Sequence, residues 1–70
     1  MSVIKVIELV GISGKNWQDA VDNAVQRAAK TMRNIQGVDV RGWTGKVEEG
    51  KIVEYRANVK ISFTVERLDG

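Results

Sequence analysis

Chemistry in this chain must come from carboxylates, amines, guanidinium groups, hydroxyls and two indoles, because its 70 residues include no histidine and no cysteine. That absence removes the commonest general base at neutral pH and the strongest nucleophile. It also removes disulfides, thiolate metal sites and the usual zinc or copper ligands. No nucleophile and base stand at an organised spacing, so an enzyme is not expected. What is left are binding groups. Glu48 and Glu49 offer the oxygen ligands that suit a hard cation such as calcium, though they read most simply as a solvated turn. Arg27, Lys30 and Arg33 form the longest basic feature, interleaved with alanines, and the net charge of +2 is spread along the chain. A nucleic-acid binder gathers its charge on one face and adds aromatic signals, so nucleic acid is not the expected partner.

Four elements must position these groups. Val3 to Val10 is β-branched and apolar, interrupted only by Lys5 and Glu8. It reads as a short strand with apolar residues on both faces, one more than a single helix can cover. Gly11 and Gly14 bracket the expected loop. Asn16 is a good N-cap, with Asp19 near the positive end of the helix dipole. Trp17, Ala20, Val21, Ala24, Val25, Ala28, Met32 and Ile35 then follow helical spacing. This predicts a helix from Trp17 to about Asn34, with Gly37 as its left-handed cap. Val38 to Val47 reads as a second strand whose alternation breaks at Gly42, a bulge signal that leaves the facing of Trp43 open. Glu48, Glu49 and Gly50 fit a hairpin loop of three to five residues.

The last strand has the clearest pattern. Val53, Tyr55, Ala57, Val59, Ile61, Phe63 and Val65 alternate with Glu54, Arg56, Asn58, Lys60, Ser62, Thr64 and Glu66. At about 3.3 Å per residue it spans roughly 45 Å, beyond a compact ball whose radius of gyration would be about 11 Å. A strand that projects from its own core pairs with a neighbour. A domain this small is marginal and is usually stapled by disulfides, a metal or association. With the first two removed, association is expected. The fold class is α+β, one domain over residues 1–70, with a three-stranded antiparallel sheet around one helix. No apolar run approaches the roughly 18 residues of a membrane span. Lys5 and Glu8 interrupt any signal-peptide core, so a cytoplasmic protein is expected.

This order, with three stretches, resembles the dodecins: Val6-Ile-Glu-Leu-Val-Gly-Ile-Ser13, Ala24-Val-Gln-Arg-Ala-Ala-Lys-Thr-Met-Arg33, and Gly50-Lys-Ile-Val-Glu-Tyr-Arg-Ala-Asn-Val-Lys-Ile-Ser-Phe63. The resemblance covers nearly the whole chain without gaps. It implies a β-α-β-β subunit whose sheet wraps its helix and a hollow homododecamer. It also implies a non-enzymatic storage or sequestration role, with flavins (FMN or riboflavin) stacked on tryptophans between subunits. Some members bind coenzyme A, and a variant subgroup is linked to calcium.

Carried over residue by residue, the resemblance implies a changed pocket. The family's Asp-Trp-Phe-Glu-Val motif places its stacking tryptophan at Gly37, followed by Val38, Asp39 and Val40. The glutamine that bonds the polar edge of the flavin falls on Arg56. Arginine only donates, whereas an amide both donates and accepts, so flavin is expected to bind weakly. Arg56 suits a carboxylate or phosphate instead. A second reading therefore stands beside flavin storage: a shell that holds another anion such as coenzyme A, a cation such as calcium, or nothing. Val38, Asp39, Arg41 and Trp43 are the expected ligand-contacting neighbours. The plainer readings are an ion pair of Arg56 with Glu54, Asp39 or Glu66 of a neighbour, core packing for Trp17, and core or interface packing for Trp43.

Overall fold

The computed structural model describes residues 2–66, with the side chains of Ser2 and Glu66 left aside. Four elements follow in order: β1 (Ser2–Ser13), α1 (Trp17–Ala29), β2 (Ile35–Glu48) and β3 (Lys51–Glu66). The sheet has the order β1-β3-β2, and both outer strands run antiparallel to β3. The longest strand is thus the central one, and α1 crosses from one edge to the other over a single face.

In β1 the odd residues face the helix and the even ones point away. Ile7 and Leu9 pack against the core, while Ile4, Val6, Val10 and Ile12 stay exposed. The strand runs through Gly11 rather than ending before it. A Cβ built on Gly11 would stand 1.9 Å from the Ala20 carbonyl oxygen and 2.8 Å from its carbon. The expected loop glycine is therefore the point where the helix backbone lies on the strand. The small stripe Ala20, Val21, Ala24 and Ala28 makes that approach feasible, and all four are buried.

The helix start is braced to the end of β1. Asn16 Oδ1 accepts the Asp19 N–H at 2.7 Å, and the Ser13 hydroxyl donates to Asp19 Oδ2 at 2.6 Å. Ser13 Oγ also accepts the Lys15 N–H at 2.9 Å. The Asn23 amide donates to the Ile12 carbonyl at 2.9 Å. Removing an N-cap side chain costs about 1 kcal/mol. Asn16→Ala should therefore lower Tm by about 4–8 °C for a domain of this size, measured at matched protein concentration.

The helix ends five residues earlier than its apolar spacing predicts. Lys30 is the C-cap, and the amides of Thr31 and Met32 bond the Ala28 carbonyl at 3.1 and 2.9 Å. The left-handed residue is Asn34, at φ 61°. Asparagine adopts that conformation more readily than most residues. Gly37 is no cap: it lies in β2 opposite Ser62. Met32 and Ile35 still pack against the core, so their spacing imitates one more helical turn.

Register shifts divide β2 at Ile35/Gly37, Val40/Gly42 and Lys46/Val47. The second is the bulge expected at Gly42. It settles the facing of Trp43, which pairs with the buried Ala57 on the helix side of the sheet. The third leaves Val53 without a partner and interrupts the otherwise regular alternation of β3. The hairpin loop is only two residues, Glu49 and Gly50, at φ 51° and 76°. Two positive φ values give the reverse turn whose twist matches the flanking strands.

The buried apolar core is small: Ala20, Val21, Ala24, Ala28, Ala57, Val59 and Ile61. Four of the seven are alanine, which limits the burial available to one chain. The molecule measures 59 × 19 × 12 Å with a radius of gyration of 14.8 Å, against about 11 Å for a compact chain of this length. The β2–β3 ribbon projects as its length requires. No helix among the described residues is long and apolar enough to cross a membrane.

Candidate ligand-binding face

The sheet's two faces divide the candidate residues. Gly37, Asp39 and Arg56 occupy the face away from the helix, opposite Ser62, Lys60 and Thr44 respectively. Arg41, the extra residue of the Gly42 bulge, joins them there through an ion pair with Asp39 at 3.1 Å. Val38 and Trp43 pair with Ile61 and Ala57 and so lie on the helix side. The six candidates do not form one pocket.

Within one chain Gly37 and Arg56 share a face but stand well apart. Their places on β3 are Ser62 and Arg56, six residues or about 20 Å apart. Gly37 leaves a bare shelf above Ser62, whose hydroxyl donates to the Gly37 carbonyl at 3.4 Å. Arg56 Nε donates to Glu54 Oε2 at 2.6 Å, two residues away on the same strand. Its ion pair thus forms within the chain, where the sequence pointed to a neighbour. Asp39 is held by Arg41, and the Glu66 side chain lies outside the described residues.

The outer face is organised in rows. Glu8, Lys60 and Asp39 lie side by side across β1, β3 and β2, with Lys60 Nζ 3.7 Å from Glu8 Oε1. A shallow concavity beside this row is lined by Glu8, Val10, Arg41, Asn58 and Lys60. A second, nearer the hairpin, is lined by Thr44, Gly45, Lys46 and Arg56. Sequence reasoning passed over Asn58, Lys60, Thr44 and Lys46. The alternation of β3 marks the first two as outward, but the register with β2 is what brings the others beside them.

On the helix side an aromatic cluster closes the helix start. Trp17 meets Tyr55 edge-on at 4.7 Å between centroids and Trp43 at 6.5 Å. Its indole N–H donates to the Thr44 carbonyl at 2.9 Å. Trp17 is only half buried, and Trp43 remains 53% exposed. Trp17 therefore packs on the rim of the core rather than in it. At the hairpin, Glu48 is 3.5 Å from Lys46. Among the described residues no group of three or more acidic side chains is gathered to hold a metal. A hydroxyl and a carboxylate do meet at Ser13 and Asp19, but Ser13 is 5% exposed and committed to the helix start.

Comparison with known proteins adds the family. A family model described as Dodecin matches residues 3–66. The chain is 33% identical to a dodecin of Thermus thermophilus over 64 residues, which cover 91% of this chain and 93% of the relative. It is 35% identical over 63 residues to a calcium dodecin of Mycobacterium tuberculosis, covering 90% and 89%. The crystal structure of an arginine-to-alanine variant of the Thermus dodecin superposes with a TM-score of 0.91 at 31% identity, over 96% of this chain and all of that one. The calcium-chelating calcium dodecin superposes at 0.81 and 29% identity, over 97% of each chain.

Proposed function

The chain belongs to the dodecin family, and on that premise we propose that it is a non-enzymatic small-ligand binder acting as a hollow assembly of twelve copies. Residues 1–70 make one domain in this reading, the protein works in the cytoplasm, and its ligand sits between copies. The observation that carries the proposal is the separation of Gly37 from Arg56 on one face. Two positions about 20 Å apart along the strand can grip one small ligand only if different copies supply them. Exposed apolar side chains support assembly, above all Ile4, Val6, Val10 and Ile12 on β1.

Flavin is the ligand that family membership brings forward, and this chain's residues fit it poorly. Gly37 offers no ring to stack on. The guanidinium of Arg56 is a donor engaged with Glu54, so it supplies no acceptor to an imide edge. A titration following quenching of FMN or riboflavin fluorescence should show weak binding, without saturation at micromolar flavin. Saturation near one flavin per chain would contradict this view of the pocket. A second reading follows from the likeness to calcium dodecin. Calcium would be shared by carboxylates of several copies at the hairpin, where Glu49 has no ion pair among the described residues. Calorimetry with calcium chloride separates the two readings.

A further inference from the structure

We propose that Thr44, Lys46 and Arg56 form an oxyanion site for a phosphate group on the outer face of the β2–β3 ribbon, with Glu54 as a built-in competitor for the guanidinium. The proposal does not rest on the flavin reading or on assembly, because all four side chains belong to one chain.

The shallow concavity at this place is lined by Thr44, Gly45, Lys46 and Arg56. Its side chains are a hydroxyl, an ammonium and a guanidinium, with no carboxylate among them. Thr44 stands opposite Arg56 and Lys46 opposite Glu54. Lys46 is thus the diagonal neighbour of Arg56, about 7–8 Å away across the strands. The flexible stems of Lys46 and Arg56 let both heads turn towards one tetrahedral anion, which offers an oxygen to each cation and another to the hydroxyl. A carboxylate has only two oxygens to offer.

Two acidic side chains touch these cations without lining the concavity. Glu48 approaches Lys46 at 3.5 Å, and Glu54 accepts from Arg56 Nε at 2.6 Å. The Glu54 side chain is 28% exposed and that of Arg56 47%, so the carboxylate is the more covered of the two. Among the described residues the hydrogen bonding of Arg56 runs through Nε alone. Its Nη groups keep the planar fork that matches phosphate oxygens. Glu54 therefore orients the guanidinium and also lowers its attraction for an incoming anion.

The test is equilibrium dialysis of the whole protein against radiolabelled inorganic phosphate, with ionic strength held constant by sodium chloride. Arg56→Gln should weaken binding about tenfold, the scale of a lost charged hydrogen bond. Glu54→Gln should strengthen it about two- to fivefold, as expected when a partly exposed competing charge is removed. Lys60→Gln, on the same face but outside this concavity, should leave it unchanged. Unchanged or weaker binding by Glu54→Gln would overturn the site. So would undiminished binding by Arg56→Gln, or an equal loss in Lys60→Gln, which would mark general charge attraction. Each variant is first shown to keep the parent's mass in solution. Parallel dialysis with FMN and riboflavin identifies the source of the phosphate. FMN binding tighter than both phosphate and riboflavin assigns the site to the phosphoryl end of a larger ligand. FMN and phosphate binding equally assigns it to the free ion.

Discussion

Gly11→Ala should cost about 3 kcal/mol of stability, the upper end for overpacking a closed site, or leave the chain unable to fold. The added Cβ would sit 1.9 Å from the Ala20 carbonyl oxygen and 3.1 Å from the Ala24 Cβ. Neither neighbour is a flexible side-chain end. The helix would have to lift from β1 along its whole alanine stripe, uncovering Ala20, Val21 and Ala24. A domain of this length holds about 4–10 kcal/mol in total, so the loss is a large share of it. Urea denaturation at matched concentration measures the change. Gly14→Ala is the control: a Cβ there meets nothing within 4 Å, and such surface changes stay within about 0.5 kcal/mol. A Gly11→Ala protein as stable as its parent would mean that the helix does not cross at this residue.

Gly37→Trp combined with Arg56→Gln should raise flavin affinity about ten- to fiftyfold. Stacking on an aromatic side chain contributes about 1–3 kcal/mol per ring, and each 1.4 kcal/mol is about tenfold. The restored amide supplies the acceptor that arginine lacks. The backbone permits the first change. Gly37 lies in an extended strand, and the described residues at positive φ are Asn34, Glu49 and Gly50. A Cβ at Gly37 would meet only the Ser62 hydroxyl, at 3.3 Å, and a hydroxyl turns aside at little cost. The helix end is unaffected, since it lies at Ala29. Fluorescence-quenching titrations with FMN and riboflavin on both proteins give the ratio. An assembled double variant with no gain would refute the placement of the family's positions on this chain. Either single change should give less than the pair, because each restores only one of the two contacts.

Much of the fold was legible because burial leaves a periodic trace. The alternation from Tyr55 to Val65 reports a half-buried strand directly, and its length announces the projection. The Asn16 and Asp19 pairing marks the helix start to the residue. The helix ends earlier than its apolar spacing predicts because Met32 and Ile35 serve the core from outside the helix while keeping that spacing. Asn34 then took the left-handed position expected of glycine. The sequence places Gly11 in a loop, since a close backbone approach depends on where a distant helix crosses. The bulge at Gly42 was visible as a glycine inside a strand, but which way it turned Trp43 depended on pairing with Ala57.

The outer face was less legible still, because its geometry is set by register between strands. The alternation of β3 announces an outward row but not its neighbours. Lys60 gains Glu8 on one side and Asp39 on the other only once both pairings are fixed. Arg56 found its acid two residues away on its own strand, a partner that an extended chain offers without any folding. The separation of Gly37 from Arg56 follows from the same register and makes the second copy necessary to the proposed site.

Multi-angle light scattering under non-denaturing conditions tests that requirement most directly. The account predicts one species of about 94 kDa, twelve times the 7.8 kDa chain. A folded 7.8 kDa monomer would contradict it, since one copy cannot bring residues 37 and 56 to the same ligand.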